Sequence, residues 1–293
     1  SGELELVVAA DQKPYVSGQL YSRNLDVLAL LEEDETARLF SDKPVDLDWI
    51  NLLDLDLALR AKRINGIITE LSNASLSLGI KDGVLNAPNL NGEVGIGRLA
   101  TWVTLDARNK PYSIVIAMLG ENISPDRVNL FGDSDIIRGG QIEIDVGLAG
   151  GGSSVAEFMS NAYGKIQLEL LNSSLKNENL ELFGADLFSS VLSMINLNQR
   201  KMDYLPIECG VIHFPVVNGD AIASQGIAIK TDRVTVLGGG VIDFNQEAME
   251  LIIRPKARKG LGFSAGTLAN VAKIAGPFEN PRMILNKSAL VQT

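Results

Sequence analysis

At 293 residues, the chain is long enough for one large domain or two ordinary ones, and its 46% hydrophobic content is normal for a globular protein. Its 36 acidic and 26 basic residues give a net charge of −10, which repels nucleic acid and anionic membrane surfaces and argues against a general polyanion binder. The single cysteine, Cys209, and the single histidine, His213, exclude an internal disulfide, a multi-cysteine metal site and a histidine relay.

The first sixty residues predict strands joined through a short helix. ELELVV at 3–8 and YVSGQLY at 15–21 read as strands, and the spacing of Leu25, Leu28 and Leu30 or Leu31 predicts a short amphipathic helix. A turn or a single helical turn is expected in the Pro44-containing segment 40–52, before the chain enters a long alternating strand.

Strict alternation of apolar and polar residues is the main signal of the chain. It is the period-two pattern of a strand with one apolar and one polar face. Asn65-Gly66, Asp82-Gly83 and Asn91-Gly92 separate apolar runs and favour tight hairpin turns, so the strands are expected to form an antiparallel meander. The alternating stretches are 53–59, 75–80, 141–148, 165–170, 233–237 and 249–255.

Three more helices and one break are predicted. SPDRVNLFG at 124–132 has an N-cap serine and a proline at the first helical position, Ser154 to Glu157 has capping-box spacing for a helix through Ala162, and residues 185–197 carry an apolar helical face. The Gly/Ser-rich stretch 147–154 is expected to be a flexible linker. It gives a soft boundary between a β-meander at 1–150 and a helix-plus-hairpin region at 151–293, with one continuous sheet as the alternative.

The last third returns to strands. Asn218-Gly219 and Asn245-Gln246 predict hairpin tips, and glycines 238–240 inside a strand predict a bulge or bend. The expected fold is mainly β: a long, twisted, curved antiparallel sheet, a β-groove or half-barrel, with a few short helices at an end or over one face.

No catalytic or metal site is visible in the sequence. Asp54 with Asp56, and Glu143 with Asp145, would project from one strand face and could in principle hold a cation or share a proton, but their period matches the wet face of an amphipathic strand. The sequence therefore predicts no enzyme, no cofactor and no metal.

The basic cluster Arg254, Lys256, Arg258 and Lys259 fits a lipid-headgroup or partner contact, or a solvated strand end. The triplets that begin at Asn73, Asn122 and Asn172 match the glycosylation pattern, which carries no weight without a secretory route.

An ordered series of motifs resembles the AsmA family. The stretch LFSDKPVDLDWINLLDLDLALRAKRI at 39–64, with its Phe-Ser-Asp turn and proline before an alternating strand, is similar to a segment of that family. The resemblance continues through the Asp-Gly hairpin after residue 75, the Gly/Ser-rich stretch with its short helix, the Cys209 strand, the hairpin at 235–257 and the ending GPFENPRM at 276–283.

The resemblance implies a bacterial envelope protein with an inner-membrane anchor and a large periplasmic region, related to outer-membrane biogenesis. Larger relatives are regarded as β-grooves that carry phospholipid across the periplasm. The chain is then expected to be a soluble periplasmic fragment whose anchor lies upstream, with phospholipid acyl chains and envelope proteins as partners and no nucleic acid.

The apolar positions of the alternating strands are the candidate lipid contacts. They are Leu53, Leu55, Leu57, Ile142, Ile144, Val146, Ile166, Leu168, Val234 and Val236. The alternative is a structural or regulatory module for outer-membrane protein assembly, in which the apolar faces close on one another or under the helices and no lipid enters.

Overall fold

A computed structural model describes residues 1–26, 39–66, 69–128, 137–176, 204–232, 234–258, 271–279 and 281–286. These residues form one sheet of sixteen strands with very little helix. The strands are β1 (Gly2–Val7), β2 (Tyr15–Asp26), β3 (Asp54–Asn65), β4 (Glu70–Lys81), β5 (Val84–Val94), β6 (Gly97–Asp106), β7 (Tyr112–Ile123), β8 (Ile137–Arg138), β9 (Gln141–Gly152), β10 (Tyr163–Lys176), β11 (Tyr204–Val217), β12 (Asp220–Lys230), β13 (Val234–Asp243), β14 (Ala248–Ala257), β15 (Val271–Pro277) and β16 (Arg282–Asn286). The helical pieces are 3-10 turns at Asp48–Asn51 and Pro125–Arg127 and one α-helix, α1 (Val155–Ser160).

Strand order follows the chain, and the expected long, mainly β sheet is confirmed. Each of the predicted alternating stretches falls on a strand, although Leu53 precedes β3 and residue 233 lies outside the described residues. Neighbouring strands pair antiparallel except β2 and β3, which pair parallel, and β8 lies off the main path beside β10. The prediction of a purely antiparallel meander is thus wrong at one place. A parallel pair needs a crossover connection, and residues 27–53 between β2 and β3 supply it.

The turn predictions are mostly confirmed. Asp82-Gly83 and Asn218-Gly219 form tight turns with positive φ at both residues, and Asn245-Gln246 lies at the tip between β13 and β14. Asn91-Gly92 does not turn: both residues lie inside β5, and the chain reverses instead at Gly95 and Ile96. Apolar alternation continues through Leu90, Gly92 and Val94, which keeps that pair within the strand.

Bulges bend several strands. The pairing register shifts beside Asn73 in β4 and beside Asn122 in β7, and these residues and Asn172 in β10 have φ near +50°. Asparagine tolerates this left-handed conformation better than most residues. The triplets that match a glycosylation pattern therefore mark backbone irregularities. Near Gly239 the expected irregularity exists, but the extra residues belong to the neighbouring strand β12, between Ala223 and Ile227.

The Gly-rich stretch is not a linker. Residues 147–152 continue strand β9, which pairs with β7 on one side and β10 on the other. A β-carbon on Gly152 would lie 2.3 Å from the backbone nitrogen of Phe158, so glycine is needed for α1 to lie this close. The sheet thus runs through residue 150, and the division into two folding units stays a prediction.

Among the described residues, one predicted helix forms as expected. Ser154 caps α1 by accepting a hydrogen bond from the Glu157 backbone, and the Glu157 carboxylate accepts one from Ser153. Around Pro125 the helix is a single 3-10 turn. Leu25, expected to begin a helix, ends strand β2, while the rest of that segment and residues 185–197 lie outside the described residues.

Candidate functional site

One face of the sheet is apolar from strand to strand. Residues directly opposite each other on paired strands point to the same side, so the register identifies the face. It connects Leu55 with Ile80 and Leu85, and then with Leu105 and Ile114, before reaching Gly150 of β9.

The same face continues through the second half of the sheet. Val146 and Ile144 lie opposite Ile166 and Leu168, and Leu168 lies opposite Ile212. Beyond it the register passes through Ile227 and Gly238 to Ile253. We call this side of β2–β14 the apolar face.

Nine of the ten sequence-predicted lipid contacts lie in strands on the apolar face, and Leu53 packs beside it just before β3, but their burial differs. Ile142, Val234 and Val236 are buried, at 6%, 2% and 6% exposure. The others are half-buried: Leu53, Leu55, Leu57, Ile144, Val146, Ile166 and Leu168. The structure therefore brings these residues onto one surface, where the half-buried ones keep part of their side chains accessible.

The margin of the apolar face where β3 begins is covered by residues 39–53, which we call the strap. Phe40 packs edge-on against Phe244 and Phe278, with ring centroids 6.1 and 6.5 Å apart. At the other end of the strap, Ile50 is 1% exposed and packs in a cluster with Ile80. The strap thus runs across the ends of the hairpins from β13–β14 to β4–β5.

Polar contacts fasten the strap to successive hairpins. The Glu247 carboxylate accepts hydrogen bonds from the backbone of Leu39 and Phe40, at 2.8 and 3.2 Å. Val45 donates to the Ser153 carbonyl at 2.8 Å, and Asn51 donates to the Ala107 carbonyl at 2.9 Å. Together these bonds tie the strap to three different connections at this margin.

Asp48 forms the charged anchor of the strap. Its carboxylate accepts hydrogen bonds from the Lys110 ammonium at 2.9 Å and from the Tyr112 hydroxyl at 2.8 Å. The bond from Lys110 and then the bond from Tyr112 hold the pKa of Asp48 below its ordinary value. Tyr112 is 1% exposed, so the anchor joins the strap to a fixed point of the sheet.

Helix α1 covers the same margin farther along. Phe158 is 6% exposed and lies beside Gly150 and Gly152 of β9. Met159 packs against the cluster that contains Phe214 and Phe244. The strap and α1 together cover this margin and leave the centre of the face half-buried.

Three of the four carboxylates considered as catalytic pairs have structural partners, and the fourth, Asp56, is exposed. Asp54, 7% exposed, accepts hydrogen bonds from the Lys81 ammonium at 2.6 Å and the Asp82 backbone at 3.0 Å, and the Lys81 bond lowers its pKa. Glu143 accepts a bond from the Asn122 backbone, and Asp145 forms an ion pair with Lys165. Such bonds hold a carboxylate in place instead of freeing it for chemistry.

His213 and Cys209 lie on the face opposite the apolar one, in β11. His213 is exposed and Cys209 is half-buried, so the cysteine is not a core residue. No group of three or more histidine, cysteine, aspartate or glutamate residues suited to a metal ion occurs in the described part of the chain.

The basic cluster is only partly a solvated strand end. Arg258 pairs with Glu208 at 2.7 Å and donates to the Thr231 carbonyl at 2.6 Å. Arg254 and Lys256 are exposed, and Lys259 lies outside the described residues.

The strap is the functional feature that sequence reasoning missed. From the sequence, this segment was predicted only to form a turn or a single helical turn before β3. The 3-10 turn at Asp48–Asn51 confirms that prediction. Its reach across the sheet depends on Glu247, which is more than 200 residues away in sequence. The signal that could have indicated it is the pair of aromatic residues, Phe40 and Trp49, in a segment with no strand or helix period.

Comparison with known proteins supports the resemblance stated from the motifs. The chain is 25% identical over 254 residues to the AsmA family protein YhjG of Escherichia coli (strain K12). The aligned part covers 84% of this chain and 35% of that protein, so the chain spans about a third of the relative it matches. No family model and no solved structure matches the chain. The order of the motifs and this match together support membership of the chain in the AsmA family.

Proposed function

We propose that the chain is a non-enzymatic, periplasmic part of an AsmA-type envelope protein that holds phospholipid acyl chains against its apolar face. The observation that carries the proposal is the apolar face itself. It is continuous over β3–β14, and its central residues Leu57, Ile144 and Leu168 keep part of their surface accessible. In this proposal the face serves as an apolar groove that acyl chains enter.

The energetics favour acyl chains over other ligands. Transfer of one methylene from water to an apolar environment contributes about 0.8 kcal/mol, so a chain of many methylenes gains affinity without any polar recognition. The candidate contact residues are all aliphatic and uncharged, as such a ligand requires. Headgroups would stay in water at the edge of the face.

The covered margin limits where a lipid can enter. The strap and α1 occupy the end of the apolar face where β3 begins. The acyl chain therefore enters from the remaining sides, and it ends where it reaches the strap. None of the helices in the described part of the chain has the length and apolarity to span a bilayer.

A second function is favoured by the same covered margin. If the apolar face serves only as the core of a scaffold, the strap and α1 are part of the structure that buries this face, and no lipid enters. The chain would then be a structural or regulatory module that supports outer-membrane protein assembly. The two functions differ in whether Ile144 contacts an acyl chain.

Photo-crosslinking tests the proposal. A photoreactive amino acid replaces Ile144 on the apolar face, and the purified protein is mixed with vesicles of phosphatidylethanolamine carrying a radiolabelled acyl chain. The matched control places the same amino acid at Val115, which lies on the opposite face of β7 and is 48% exposed. Non-specific hydrophobic contact would label Val115 at least as strongly, because Val115 offers more accessible surface.

We expect labelling at Ile144 several times stronger than at Val115, and phospholipid in the mass spectrum of the native purified protein. Equal labelling at both positions, with no co-purifying phospholipid, would reject lipid binding and favour the scaffold.

A further inference from the structure

The second face of the sheet carries an exposed apolar band where polar residues are expected. Strand β7 contains the run IVIAML at 114–119, which is apolar on both faces. A continuous apolar run is typical of a strand covered on both sides. Here only Ile114, Ile116 and Met118 lie on the apolar face, and Val115 and Leu119 are exposed on the other.

The band extends over neighbouring strands. Trp102 of β6 lies opposite Ala117, and Ala117 lies opposite Gly147 of β9. Val115 lies opposite Ala149, which lies opposite Tyr163 of β10. We call these residues, with Leu119, the outer band.

The exposed fractions of the large side chains show that the described residues leave the outer band uncovered. They are 37% for Trp102, 48% for Val115, 43% for Leu119 and 59% for Tyr163. Clustered exposed apolar side chains on a flat surface usually mark a protein interaction site.

An acidic depression adjoins the outer band and identifies the kind of partner. It has a volume of about 290 Å³, and its lining includes Leu119 of the band with Glu121, Glu143, Asp145 and Glu169. Asp145 pairs with Lys165, whereas Glu121, Glu143 and Glu169 form no ion pair with the described residues. Carboxylates beside an apolar surface complement a segment that carries both leucine-like and arginine-like side chains.

We propose that the outer band and the acidic depression together bind a basic amphipathic helix of a partner protein. Its apolar side lies on Trp102, Val115 and Leu119, and a flanking arginine or lysine enters the depression. A second copy of this chain fits poorly, because it would bring the same carboxylates and a further net charge of −10 to the contact. An anionic membrane surface is repelled for the same reason.

The test uses Trp102 as the reporter. The chain has two tryptophans, so Trp49→Phe leaves Trp102 as the only indole. Two synthetic helical peptides serve as probes: one has leucines on one side flanked by arginines, and the other has glutamates in place of the arginines. We expect the arginine peptide to change the Trp102 fluorescence saturably and the glutamate peptide to leave it unchanged.

Variants separate the two parts of the surface. Val115→Lys introduces a cation into the band and should weaken binding of the arginine peptide about tenfold or more. Glu121→Gln with Glu169→Gln should weaken it about threefold to tenfold and reduce its salt dependence. Leu6→Lys is the control, because Leu6 is 64% exposed in β1 and strands β2–β5 separate it from the band.

Three results would overturn the proposal: equal binding of both peptides, no effect of Val115→Lys, or a dimer in sedimentation that Val115→Lys dissociates. The last would assign the band to a second copy. Lipid labelling at Ile144 is independent of all these outcomes, so the proposed lipid function and the outer band succeed or fail separately.

Discussion

The two faces of β7 between residues 114 and 119 are both apolar, but their surroundings differ. Ile116 and Val146 lie half-buried on the apolar face, while Val115 and Ala149 lie on the other face, with Val115 48% exposed. Both sets are apolar. Residue type therefore predicts the face of a side chain only in strands that alternate. Whether a face is buried depends on what the rest of the fold packs against it.

The sharpest test of this comparison places one charge on each face. Ile80→Asp puts a carboxylate where the side chain is 1% exposed, among Leu55, Leu85 and Leu105. Because a buried unpaired charge is costly, we expect a loss of about 4 kcal/mol or more in unfolding free energy. Ile222→Asp, on the opposite face at 52% exposure, should change it by less than about 0.5 kcal/mol.

Urea unfolding followed by circular dichroism measures both variants. Similar losses for the two would mean that the second face is as buried as the first in solution, and the comparison between the faces would fail.

A second test compares two glycines of the same strand. Gly152→Ala brings a β-carbon against the Phe158 backbone and should cost about 1–3 kcal/mol, because α1 must move. A β-carbon on Gly147 meets nothing within 4 Å, so Gly147→Ala should be neutral or slightly stabilising. The unfolding midpoints of the two variants check this, and equal midpoints would show that α1 is not held against β9.

The sequence predicted strands better than it predicted what joins them. Alternation located the long strands, such as those that contain Leu57 and Ile144, because each strand's pattern is local. Asp82-Gly83 was found for the same reason: the dipeptide itself favours the turn.

The contacts that cover the margin of the apolar face could not be predicted from local patterns. Phe40 meets Phe244 and Phe278 only because the crossover returns to the margin where β3 begins, and no local pattern reports a contact of that sequence separation. The glycines of β9 were predicted to form a linker. The reason for them is the close approach of Phe158, which belongs to helix α1 and not to the strand itself.

The bulges give a smaller test of how each strand bends. Asn122 has φ +52°, where a β-carbon crowds the backbone, so Asn122→Ala should cost about 1 kcal/mol and Asn122→Gly should cost little. Asn91→Ala is the matched control, since Asn91 lies in β5 without a positive φ. Unfolding midpoints measured side by side check the order. If the alanine and glycine variants of Asn122 were equally stable, the left-handed backbone would not be the reason for asparagine there.

The smallest expected effect concerns the charged anchor of the strap. The hydrogen bonds from Lys110 and Tyr112 lower the pKa of Asp48 in the folded protein, so the stabilisation is complete above the pKa of the unfolded carboxyl, about 3.9. It is lost as the pH falls through the lower pKa of the folded state. Asp48→Asn removes this dependence.

Trp49 provides the measurement, because it lies in the strap beside Asp48 and is 46% exposed. With Trp102→Phe as background, the Trp49 emission should change on acidification below about pH 4 in the parent and much less in Asp48→Asn. Glu3→Gln, which removes an exposed carboxyl on β1, serves as the control and should behave like the parent. An identical acid response in Asp48→Asn would show that the strap is held by Phe40 and Ile50 alone. The covered margin of the apolar face would then be an apolar contact with no electrostatic component.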